Sequence, residues 1–150
     1  MFKFNLQLHA ETAGLVSRTK ILAGSVAMAG GAAPTGAYII GVDNRTFSRL
    51  CDVLEVAAEG DTYKKRIVGL KDTNFSISGN FYSGDTTGQQ VLIPGNLVMV
   101  GCYPEGPAVA GYQVNAIVTS YELTSTADGK QTFSAAFSCI AAPVALPLIT

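Results

Sequence analysis

The sequence predicts a mainly β protein: a β-sandwich or partly closed barrel of antiparallel strands, with one short flanking α-helix and extended terminal arms. Three observations carry that expectation. Residues 74–81 alternate strictly, with Phe75, Ile77, Gly79 and Phe81 on one parity and Asn74, Ser76, Ser78 and Asn80 on the other. Such a run is a strand with one apolar face and one polar, uncharged face. Next, Ala127-Asp128-Gly129-Lys130 separates two long β-rich runs, 112–124 and 131–140, and Asp-Gly is a strong hairpin signal. Finally, the composition is that of a β domain, with 16 Gly, 6 Pro, no Trp and many β-branched residues. At 150 residues the chain is expected to be a single domain, 1–150, large enough to bury a core.

Taken in order, residues 1–18 mix charged and small residues and read as an N-terminal arm. The stretch 21–42 contains no charge. It is long enough to cross a membrane, but Ala and Gly dominate it and Pro34 interrupts it, so no span is expected. Arg18 and Lys20 lie too far into the chain for the charged start of a signal peptide. Strand over 19–28, flexible loop, strand over 37–42 is the reading preferred here. Residues 49–58 fit either helix or strand. Glu59-Gly60-Asp61 marks a turn, residues 63–69 a strand, and 74–82 the alternating strand.

Thr86-Thr87-Gly88-Gln89 has the form of a capping box. It predicts a short helix over 86–92, capped by Thr86 and stopped by Pro94-Gly95. A short apolar strand follows at 97–100, and 101–111 reads as loop. After the 112–140 hairpin the chain ends in a C-terminal arm, 143–150. Pro143 and Pro147 exclude a helix or a central strand there. Val144, Leu146, Leu148 and Ile149 nevertheless need burial, on the domain's own core or on a neighbouring subunit, and are the candidates for an inter-subunit arm.

Charged residues make up 14% of the chain, against a usual share of about 25%. So little charge suits a surface that partners cover, or a small β protein rich in Ser, Thr and Gly. The net charge of −1 argues against a nucleic-acid binder, which would be basic. The one basic cluster, Lys64-Lys65-Arg66 with Lys71 nearby, reads as a solvated strand or loop. Cys51, Cys102 and Cys139 are far apart and in no metal-binding spacing, so they read as free thiols. Asn44-Arg45-Thr46 matches a glycosylation acceptor without a secretory context.

No catalytic motif stands out. There is no G-x-S-x-G, H-E-x-x-H or phosphate loop. One histidine, His9, cannot supply a zinc site, and Glu59 with Asp61 sits in a turn that solvent reaches. No catalytic residue, metal site or cofactor is expected. Aromatics are not interleaved with basic residues, so stacking on nucleic-acid bases has no platform.

The chain resembles the major tail tube proteins of long-tailed bacteriophages. The resemblance rests on an ordered set: Cys51 to Val56, then Lys65 to Asp72, the alternating strand, and Asp85 with Gly88-Gln89. Its most specific part is Gly69-Leu70-Lys71-Asp72 leading into Phe75-Ser76-Ile77-Ser78-Gly79. The run from Tyr112 to Ser120 and Ala127-Asp128-Gly129 followed by Thr132-Phe133-Ser134-Ala135 add to it. The matching parts cover about half the chain, and residues 1–45 are more Gly- and Ala-rich than the family pattern.

The resemblance implies a sandwich fold shared with type VI secretion tubes, and six copies closing a ring that stacks into a hollow tube for DNA. Its partners would be tape measure, tail terminator and tail tip proteins, in a virion tail assembled in the host cytoplasm. The polar face of Asn74, Ser76, Ser78 and Asn80 is then a candidate for the inner wall. Two other classes stay open: a capsid decoration or head-tail joining protein, and a small carbohydrate-binding β-sandwich using Tyr82, Tyr103 and Tyr112.

Overall fold

The computed structural model describes residues 18–24, 36–104 and 111–146. Eight strands form one antiparallel sheet: β1 (Arg18–Ala23), β2 (Ala37–Tyr38), β3 (Val42–Val56), β4 (Lys65–Asn80), β5 (Leu97–Tyr103), β6 (Gly111–Ser125), β7 (Gln131–Cys139) and β8 (Val144–Leu146). The spatial order is β2-β1-β5-β6-β7-β4-β3, with β8 pairing β6 beyond the end of β7. All pairings are antiparallel.

The alternation read at 74–81 decides the packing. Phe75, Ile77 and Gly79 are buried, and Phe133, Ala135 and Phe137 of β7 oppose them in register as Gly79↔Phe133, Ile77↔Ala135 and Phe75↔Phe137. Ile21, Val98, Val100, Ala116 and Val118 complete this core from the other half of the sheet. The sheet curls to bring the halves together. Phe47 of β3 stacks on Tyr112 of β6 with centroids 5.3 Å apart. Arg45 Nε of β3 donates to Thr19 Oγ1 of β1 at 2.8 Å. Among the described residues the end strands β2 and β3 do not pair with each other, so the barrel is only partly closed.

Several expectations are corrected. The α-helix over 86–92 is a three-residue 3-10 turn, Gln89–Val91. Its cause is Asp85, buried here and not Thr86, which is exposed. Asp85 Oδ1 accepts the Gly88 N–H at 2.9 Å, and Oδ2 accepts those of Gln89 at 3.1 Å and Ile40 at 2.9 Å. One carboxylate therefore ties the 85–89 turn to the β2–β3 connection. Gln89, the expected box partner of Thr86, instead reaches across the fold. Its Nε2 donates to the carbonyls of Ile40 and Asn80, and its Oε1 accepts the Tyr82 N–H.

The segment 49–58, open to either period, is strand as far as Val56, and the two strands expected at 63–69 and 74–82 are one 16-residue strand, Lys65–Asn80. The strand expected over 19–28 ends at Ala23, and residues 25–35 lie outside the described set. The strand expected over 37–42 is two residues long and gives way to a turn at Ile40-Gly41. β5 runs on to Tyr103, past the predicted stop at Val100, because both of its faces are buried.

The C-terminal expectation also shifts. Val144–Leu146, the three residues between the two prolines, pair with Gly111–Gln113 of the same chain. Proline removes a donor only at its own position, and the residues between keep theirs. The strand is short and lies at an edge, as flanking prolines require.

Candidate functional site

The site begins with what the ladder registers do to the polar half of the alternating strand. Asn74 stands between Ser48 of β3 and Ser138 of β7. Ser76 stands between Thr46 and Ala136, and Ser78 between Asn44 and Ser134. Asn80 opposes Thr132, which in turn opposes Thr124 of β6. On β6 the band continues through Ser120 opposite Ala136 and Glu122 opposite Ser134. An extra residue, Thr119, lies at a register shift between Val118 and Ser120, and its hydroxyl donates to the Ala136 carbonyl at 3.0 Å.

The four residues singled out in the sequence are thus the centre of a band four strands wide. It is built of Ser, Thr, Asn and Ala with one acid, Glu122, and lies on the face opposite the Phe75–Phe137 core. Shallow grooves of about 310 and 380 Å³ cross it. The titratable side chains on it or at its margin are acidic, Glu122 and Asp43, and no Lys or Arg lines these grooves. Short hydroxyl and amide side chains at β positions satisfy themselves on neighbours or water and offer no fixed charge.

A second surface comes from the other half of β4. β7 pairs β4 only over Asn74–Asn80, whereas β3 pairs it down to Lys65. Residues 49–56 and 65–73 therefore leave the sheet as a two-stranded ribbon, about 26 Å long at 3.3 Å per residue. It exposes Leu50, Val53, Leu54, Val56, Ile67, Val68 and Leu70, the last at 82%.

The family-motif positions sit here and at the opposite turn. Gly69 lies where the register slips between Cys51 and Val53, and a Cβ on it would come within 2.9 Å of the Asp52 backbone oxygen, so no larger residue fits without movement. Leu70 and Lys71 are exposed, and Asp72 accepts bonds from the Thr73 N–H and the Asn74 amide. Asp128 and Gly129 form the β6–β7 turn, and Gly129 takes the left-handed φ of 81° that the turn requires.

The basic cluster is not a free cationic patch. Lys64 and Arg66 both bond Glu55, at 3.0 and 3.4 Å, and Lys65 bonds Asp61 at 2.9 Å. The Lys65 ammonium, helped by the Ala58 N–H, holds the Asp61 carboxyl below its ordinary value. Such exposed pairs contribute at most about 1 kcal/mol each.

The tyrosines considered for a sugar site do not converge. Tyr103 is fully buried, and Tyr112 lies against Phe47 with the Arg49 guanidinium 4.6 Å above its ring. Only Tyr82 is exposed. Among the described residues no cluster of three or more His, Cys, Asp or Glu is placed to hold a metal ion, and no helix is long and apolar enough to cross a membrane. Val144 and Leu146 stand in β8, whereas Leu148 and Ile149 lie outside the described residues, as does the arm 1–17. Sequence reasoning gave the cap to Thr86 and kept Asp85, with Gly88-Gln89, as a motif position and the alternative cap; the structure makes Asp85 the acceptor. Sequence reasoning missed the ribbon, whose apolar residues were read as ordinary strand.

No protein-family model matches the chain, and no curated protein matches it. Solved structures do. A chain of the virion of a native gene transfer agent particle matches with a TM-score of 0.67 at 15% identity, over 89% of this chain and 97% of that one. A chain in the tail of the empty gene transfer agent particle, refined helically with C6 symmetry, gives 0.66 at 16%, over 87% and 96%. The SPP1 tail tube gives 0.54 at 17%, over 89% and 78%. This chain has the fold found in those tail structures.

Proposed function

We propose that this protein is a structural building block of a phage-type tail tube, stacking as rings, six copies to a ring, around a channel for DNA. The observation that carries the reading is the polar band without Lys or Arg, centred on Asn74, Ser76, Ser78 and Asn80, on a chain whose fold is that of tail structures. A conduit must not hold its cargo. Each Lys or Arg on a phosphate adds affinity that depends on salt, and a wall of many such contacts would stop the DNA. A Ser, Thr and Asn wall with acids at its margin lets the polyanion slide. The outer edge of β3, unpaired among the described residues, and the apolar ribbon supply what assembly needs, because exposed strand edges and apolar patches are sites of association. Tape measure, tail terminator and tail tip proteins are the partners this role calls for, and the assembled protein belongs to a virion tail.

The test is direct. Purified protein should form rings or tubes in negative-stain electron micrographs and sediment as large species. Ser76→Lys with Ser78→Lys should still assemble, but its tubes should retain short duplex DNA in a salt-dependent way where wild-type tubes retain none. Wild-type protein that sediments only as a monomer at high concentration, even with tail tip or tape measure protein supplied, would sink the proposal.

A further inference from the structure

The strand β6 belongs to both halves of the sheet. Leu97–Cys102 of β5 pair with its residues Tyr112–Ile117, and β7 pairs with Ala116–Ser125. Its inward side changes parity on the way. Val114, Ala116 and Val118 lie among the buried core residues or beside them, whereas beyond them Tyr121 packs on the core, and Ser120 and Glu122 line a groove of the polar band. A strand with regular alternation cannot do this. It would carry the even positions through, putting Ser120 and Glu122 into the core and Tyr121 outside. Thr119, left out of the ladder between Val118 and Ser120, resets the alternation. Thr119 and Ser120 are accordingly both exposed.

A bulge also bends its strand and increases its twist. Strands that pass between packed sheets turn their corners in this way. The corner at Thr119 lies on the first strand of the polar band β6-β7-β4-β3. The two register shifts of β3 lie elsewhere: one, between Val42 and Asn44, at the end of the band beside a turn, and the other, between Cys51 and Val53, in the ribbon. The Thr119 hydroxyl ties its bulge to β7 through the Ala136 carbonyl at 3.0 Å.

We propose that Thr119 is a positioning residue of the channel wall: its bulge sets how the band leans against the β1-β5 half, and with that the number of copies that close a ring. This rests on the tube reading. A closed ring of six identical copies requires each to turn the wall through about 60°. In a closed wall of strands the strand number, tilt and diameter are linked. A copy whose wall leans differently therefore closes with a different number, or leaves an open arc.

The probe is deletion of Thr119. It leaves Val118 inward, Ser120 outward and Tyr121 inward, so the faces are kept and only the bend is lost. Circular dichroism and melting report the fold, and end-on class averages in electron micrographs count the copies per ring. The deletion variant should fold and give another copy number or open arcs. Thr119→Ser, which keeps the hydroxyl, should give wild-type rings. Thr119→Gly keeps the residue count but frees the backbone and removes the hydroxyl, and should give several copy numbers in one preparation. Phe75→Ala, a weakened fold with the bulge intact, should keep the wild-type number. A folded deletion variant with wild-type rings overturns the proposal and leaves the tube reading standing. Should the deletion variant not fold, Thr119→Gly decides, and a single wild-type copy number overturns the proposal. A changed number in Phe75→Ala overturns it too, because loss of stability alone would then account for the effect. Wild-type protein that forms neither rings nor tubes overturns both.

Discussion

The strand β4 spends its two halves in opposite surroundings. From Phe75 to Asn80 it is the centre of a sheet, with β3 on one side and β7 on the other, and its odd residues are 1–2% exposed where they are large. From Lys65 to Thr73 it has β3 alone, and Ile67, Val68 and Leu70 are 55–82% exposed. Both halves carry large apolar residues, although the ribbon half adds Lys65, Arg66, Lys71 and Asp72. What differs is whether a third strand and a second layer are present. An isolated two-stranded ribbon is marginal in water, so the first half supports the fold and the second half is held by β3 alone.

The sharpest way to break this contrast is to remove a large side chain from each half. Phe75→Ala should cost about 3–5 kcal/mol, because the ring packs on Phe137 at 5.6 Å and on Phe47 at 6.3 Å and leaves a cavity behind. A fall in melting temperature on the order of 10 °C is expected by calorimetry. Next in size is the buried carboxylate that ties the turn to the sheet. Asp85→Ala strips three backbone donors of their acceptor and should cost about 2–4 kcal/mol in denaturant titration. Thr86→Ala should change stability by less than about 0.5 kcal/mol. Equal effects of the two substitutions would return the cap to Thr86.

How much of this was legible depends on whether a residue's partner is near it in sequence. The period-2 pattern at 74–81 and the Asp128-Gly129 turn are local signals, and both gave the right elements. The turn at 89–91 was misread as α-helix because its decisive partner, the Ile40 N–H, lies 45 residues from Asp85. The ribbon was hidden for a similar reason. Nothing in Lys65-Arg66-Ile67-Val68 says that β7 will stop at Cys139, so exposure could not be read from strand propensity. The polar band was half legible: one strand of it is a pattern, but its width depends on four registers.

The ribbon half of the comparison is sharpened by Val68→Ser with Leu70→Ser. The free chain should melt within about 1 kcal/mol of wild type, since neither side chain has a core to leave. Assembly should suffer far more. If each side chain is buried on a neighbour at about 1.5–3 kcal/mol, particle formation should require at least roughly tenfold more protein. Light scattering against concentration reads this. Unchanged assembly would mean that the ribbon stays in water after all.

The smallest effect tests the sheet half from a third side. Tyr103 is fully buried in β5, and its hydroxyl has no hydrogen-bond partner among the described residues. Desolvation, aided by Tyr38 and Cys102, pushes its phenol up to about 12 from an ordinary 10. In the fold it therefore keeps its proton between pH 10 and 12, while the unfolded chain releases one. Ionisation then favours the unfolded state, so this contribution to stability is intact below pH 10 and is lost as pH rises to 12. Cys139 acts with the same sign and earlier, because burial, with Asp72 beside it, pushes its thiol up to about 11 from 9. Tyr103→Phe should leave stability at pH 7 within about 1 kcal/mol of wild type, since no bond is broken. It should flatten the decline between pH 10 and 12 while keeping the part that begins at pH 9. Denaturant titrations at pH 7, 9.5 and 11 measure both limbs. Wild-type and variant curves that superimpose at pH 11 would show that the phenol ionises as readily in the folded protein as in the unfolded chain, and that β5 is less sealed than its packing indicates.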